Sequence, residues 1–101
     1  MSFRRDRFRD LIRRQLDLFA EEEAELLREA DAAERAYDAS DRDHAEEAYG
    51  DLQLVREAIA DRLEELRDTY ASTLDSEAEL AYAQAFGRAA RKRFPKLRAE
   101  L

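Results

Sequence analysis

The sequence predicts an all-α protein: a long antiparallel helical hairpin with a shorter third helix, assembling into a helical bundle. Three observations predict it. Charged residues make up 43% of the 101-residue chain and apolar ones 45%, with only two glycines and one proline. That balance belongs to long amphipathic helices rather than to a sheet with frequent turns. Apolar residues recur at three-and-four spacing over long stretches. Where that spacing lapses, helix-capping residues stand. At this length the chain makes one domain with a modest core.

Helix one is expected over about 3–39. Its stripe runs Phe8, Ile12, Leu16, Phe19, Leu26, Ala30, Ala33, Tyr37. One position in that stripe, Glu23, is charged where a core residue is expected. The apolar arc is broad early, with Leu11 and Leu18 beside the main stripe, and narrows to alanines later. A broad arc calls for two packing neighbours and a narrow one for a single neighbour.

The segment "DASDRDHAEE" then supplies Ser40, Asp41 and Asp43, and Asp43 with Glu46 reads as a variant capping box. A short turn here folds helix two back antiparallel over about 43–74. Its stripe is Ala45, Ala48, Leu52, Val55, Ile59, Leu63, Leu66, Tyr70.

"TYASTLDSEAEL" is a cluster of weak helix formers with Ser76 and Glu79 as a second capping box. Helix three is expected over about 76–93, stopped by Pro95. One uninterrupted helix from Asp43 to Arg93 is the rival, since neither glycine nor proline enforces a break. The inward face of helix three is read as Leu80, Ala83, Gly87, Ala90 and Phe94, with Tyr82 and Phe86 flanking it.

Charge is segregated along the chain. Residues 1–16 hold six arginines against Asp6 and Asp10, a net of +4; residues 17–79 carry a net of −16; residues 80–101 carry +5. Folding the hairpin about Asp41 and the second turn about Asp75 brings Arg88 and Arg91 alongside Glu21, Glu23 and Glu25. Those five residues are the candidate internal charge pairs. Lys92, Arg93, Lys96 and Arg98 stay unpaired in this reading and are the candidate contacts to an external anion. Tyr37, Tyr49, Leu52 and Leu54, near the hairpin tip and beyond the reach of helix three, are the candidate self-association surface.

Several function classes are disfavoured. With no cysteine, disulfides and thiolate metal sites are excluded. No run approaches the ~18 apolar residues that span a bilayer, and the arginine-rich start lacks the apolar core of a secretory signal, so no membrane association and a cytoplasmic location are expected. The first turns read as the start of the core rather than as a membrane-surface helix. Arginines near Tyr82 and Phe86 could contact phosphates and stack bases, but a net charge of −7 argues against nucleic acid. Glu23 raises a carboxylate metal site of the kind found in helical bundles. That chemistry uses Glu-x-x-His pairs, and the single histidine, His44, sits at the turn among acids. No catalytic set, phosphate loop or cofactor motif stands out.

The function expected is a non-enzymatic helical protein–protein interaction or assembly module that self-associates, with a homodimer favoured. The alternative is a small acidic inhibitor or adaptor docking on a basic partner protein. A metal-binding bundle is the minor alternative. No cofactor is expected.

Overall fold

The computed structural model describes residues 7–101, and their regular elements are helical. Four α-helices follow in order, α1 (Arg9–Glu22), α2 (Ala24–Asp38), α3 (Ala45–Ala71) and α4 (Ser76–Arg93), with a 3-10 turn at Pro95–Leu97. Together they form an elongated body of 52 × 26 × 22 Å.

The stretch expected as one helix over 3–39 is divided at Glu23, and positions 3–6 lie outside the described residues. Glu23 leaves helical geometry, with φ −104° and ψ 23°. Its N–H still donates to the Phe19 carbonyl at 2.8 Å, and its own carbonyl accepts from Leu27 N–H at 3.0 Å. α1 therefore runs on into α2 as a broken rod rather than around a turn. The break falls on the residue where the apolar stripe skips a turn.

The chain reverses between α2 and α3. Asp41, rather than the expected Asp43–Glu46 box, organises this turn: its Oδ1 accepts from His44 N–H at 3.0 Å and lies 2.6 Å from His44 Nδ1. α3 then runs antiparallel to α2, with Tyr49 facing Tyr37 near the turn and Arg62 facing Glu23 farther from it.

A real break separates α3 from α4. At the end of α3 the Ser72 and Thr73 hydroxyls donate back to the carbonyls of Thr69 and Tyr70. Such back-bonding competes with continued helix. Asp75, with extended backbone at ψ 167°, then caps α4 by accepting from Ala78 N–H at 2.9 Å. The cap is thus one residue earlier than the Ser76–Glu79 box.

The core lies among α1, α3 and α4. Phe8, Ile12, Leu16 and Phe19 meet Ile59 and Leu63 from α3 and Tyr82 and Phe86 from α4, with Leu97 closing one end. The Phe8 and Tyr82 rings meet edge-on, 5.4 Å apart, and Tyr70 lies 4.8 Å from Tyr82. α2 has no fully buried residue, and its Leu26, Leu27 and Ala30 are half-buried, as befits a helix with one principal neighbour.

The buried face of α4 corrects the sequence reading. It is Ala78, Tyr82, Phe86 and Ala90, while Leu80 is 61% exposed. Rolling the helix this way buries two aromatic rings in place of a face of mostly small side chains. Apolar area removed from water favours that choice.

Candidate functional site

The hairpin tip is more self-contained than its sequence implies. Tyr37 and Tyr49 rest on each other, ring centroids 5.5 Å apart, and each keeps one exposed side. Leu52 is only 2% exposed. Its burial removes it from the candidate self-association surface, although it lies outside the main core cluster. Leu54 is 67% exposed. Two residues along a helix are about 200° of rotation apart, so Leu54 projects from the side of α3 opposite Leu52. The four residues expected to share one surface are therefore distributed over three directions.

The outward side of α3 around Leu54 is acidic. Glu47, Asp51, Glu57 and Asp61 are all exposed. Helical periodicity sets them within about 60° of Leu54's direction. Gly50 lies in the same ridge, with open space where a Cβ would stand.

The expected internal pairing is redrawn. Glu23 pairs with Arg62 of α3, whose Nη1 donates to both carboxylate oxygens at 2.7 and 2.8 Å. The carboxylate holds the Arg62 guanidinium above its ordinary pKa. Glu21 and Glu25 are exposed. Arg91 lies along its own helix, so that a Cβ on Gly87 would meet its Nη1 at 3.3 Å. Arg88 faces α1. The physical reason is the roll of α4: burying Tyr82 and Phe86 carries Arg88 and its neighbours to the α1 side, away from the acids of α2.

Two of the four expected external contacts are also paired internally. Arg93 Nη1 donates to Asp17 at 2.7 Å, and Lys96 Nζ lies 2.9 Å from Glu34. Glu34 raises the Lys96 pKa by hydrogen bond and charge. That second pair closes over a recess of about 340 Å³ between α2, α3 and the segment 93–97. Lys92 and Arg98 are exposed, with no salt bridge among the described residues.

A groove of about 710 Å³ opens between α1 and α4. Ile12, Leu16, Ala85 and Ala89 give it an apolar floor, and Arg9, Arg13, Arg88, Lys92 and Arg93 give it a basic rim. Arg13 also touches Asp10 at 3.0 Å, at the exposed edge. Arg9, Arg88 and Lys92 have no salt bridge among the described residues.

Sequence reasoning saw both basic segments but did not join them. The signal was the pair of basic segments, whose described residues lie side by side because α4 runs along α1 in the same direction, Tyr82 beside Phe8 and Arg93 beside Asp17. The groove is not built for stacking bases, because Tyr82 and Phe86 are buried. Among the described residues no group of three or more His, Cys, Asp or Glu side chains could hold a metal ion. No helix among them is long and apolar enough to cross a membrane.

No protein-family model matches the chain, and no curated protein or solved structure shows significant similarity to it.

Proposed function

We propose that this chain is a non-enzymatic helical assembly module whose molecules bind one another. Its arrangement is read as a long hairpin, α1 and α2 against α3, covered at its open end by α4. The observation that carries the proposal is the exposure of Leu18, Leu54 and Leu80, together with Tyr37 and Tyr49, on a body whose surface is otherwise strongly charged. Tyr37 and Tyr49 adjoin each other, and adjoining exposed apolar side chains ringed by charge are what an association surface supplies. Light scattering over a dilution series tests it. Self-association gives a mass that rises with protein concentration, and a constant mass of one chain removes the proposal.

The acidic outward ridge of α3 supports a second reading, an adaptor that docks on a basic partner protein. Capture of one defined basic protein, lost at high salt where exposed charges are screened, supports that reading. Capture indifferent to salt argues against it.

A further inference from the structure

We infer that the α1/α4 groove is the receptor for the outward ridge of α3 of a second copy of the chain, so that molecules join head to tail. The inference rests on the self-association proposed above and names its two surfaces.

The groove asks for an occupant with an apolar centre and acidic edges. Its floor is Ile12, Leu16, Ala85 and Ala89, and its rim carries five cations. Three of these, Arg9, Arg88 and Lys92, have no salt bridge among the described residues. Arg13 and Arg93 meet only exposed aspartates, Asp10 and Asp17. Nucleic acid would satisfy the rim and leave the floor against water or sugar, with no aromatic ring among the described groove-lining residues to stack on.

The chain itself carries the complement. On the outward side of α3, Leu54 stands 67% exposed between Gly50 and Ala58, with Asp51, Glu57 and Asp61 around it. From Asp51 to Asp61 the ridge is about 15 Å long, and from Ala85 to Arg93 the groove edge is about 12 Å, at 1.5 Å per residue. Leu54 seated on the floor would place the ridge carboxylates against Arg88, Lys92 and Arg9. Burying the leucine removes apolar surface from water, and the opposed charges fix orientation and speed encounter.

Groove and ridge are different surfaces. The ridge turns away from the core that α3 shares with α1 and α4, while the groove opens between α1 and α4. Each molecule can therefore accept one neighbour and present itself to another. A contact of this heterologous kind grows into rings or filaments rather than stopping at a two-fold dimer.

The test uses two neutralised full-length variants: Arg88→Gln with Lys92→Gln in the groove, and Asp51→Asn, Leu54→Asn with Asp61→Asn on the ridge. All five positions are exposed, and circular dichroism checks that both variants keep wild-type helicity. Sedimentation velocity at low salt reads the outcome. Wild type is expected to exceed two chains per particle. Each variant alone is expected to stay one chain at concentrations where wild type assembles. Mixed, they are expected to form a one-to-one pair and nothing larger, because one intact groove then meets one intact ridge.

A variant that assembles as wild type does, while wild type still self-associates, overturns this contact and leaves self-association standing. So does a mixture that stays monomeric. Wild type that is monomeric throughout removes both. Binding of a labelled single-stranded oligonucleotide that is lost in the groove variant, with self-association unchanged, assigns the groove to a polyanion and also overturns the inference.

Discussion

The Tyr82 hydroxyl donates to Gln15 Oε1 at 2.8 Å, joining α4 to α1 across 67 residues of sequence. Tyr82 is 0% exposed and packs against Phe8, Tyr70 and Phe86. Its ring fills core space against Phe8, and its hydroxyl ties α4 to α1.

Replacing Tyr82 by Phe keeps the ring and deletes the bond. The expected cost is about 1 kcal/mol, the usual worth of a partly buried hydrogen bond, read as a lower urea midpoint with unchanged slope. Tyr82→Ala empties the core site and is expected to cost about 3–5 kcal/mol, the range for aromatic-to-alanine changes.

Burial pushes the Tyr82 phenol above its ordinary pKa, with the Gln15 hydrogen bond opposing the shift. The unfolded chain then releases this proton first, near pH 10. The stability tied to it is fully present below that pH and is lost as pH rises through the higher folded value. Urea midpoints measured from about pH 8 to pH 11 should fall more steeply for wild type than for Tyr82→Phe. Parallel curves would detach the alkaline loss from Tyr82.

Leu52 and Leu54 are two positions apart and should behave in opposite ways. Leu52→Ala opens a cavity and is expected to lower stability by about 2–4 kcal/mol. Leu54→Ala removes an exposed side chain and is expected to change stability by no more than about 0.5 kcal/mol. Association should respond to Leu54 and not depend directly on Leu52. Thermal melts with sedimentation on both variants check the pair.

The second turn rests on one cap. Asp75→Ala removes the acceptor for Ala78 N–H and should cost about 1 kcal/mol. Gly50→Ala works the other way. Gly50 is mid-helix with nothing within 4 Å of the place a Cβ would take, so alanine should stabilise by about 0.5–1 kcal/mol. Calorimetric midpoints are expected to shift by several degrees, in opposite directions.

Much of the fold was legible because helical periodicity is local. The all-helical class follows from spacing, whereas the break between α3 and α4 did not, since neither glycine nor proline enforces it and an uninterrupted helix from Asp43 to Arg93 fitted the same pattern. What spacing could not supply was rotation. Leu80 and Tyr82 are both apolar and both compatible with a helical face, and only the competition for core space puts Tyr82 inside. That one roll moved Arg88 from the acids of α2 to α1 and created the basic groove. Glu23 illustrates the same limit: its charge stood out in the apolar stripe, but neither the helix break there nor its partner, Arg62, could be read from spacing, since the partner depended on the register between two helices. At the tip, Leu52 was grouped with Leu54 by sequence nearness, although the two lie on opposite sides of α3.

The most direct test of the central claim is the molar mass of the wild-type chain by light scattering at low salt, followed from high to nanomolar concentration. Self-association through apolar and charged surfaces predicts a mass above one chain, 11.8 kDa, that falls on dilution and on adding salt. A mass of 11.8 kDa at every concentration would contradict it.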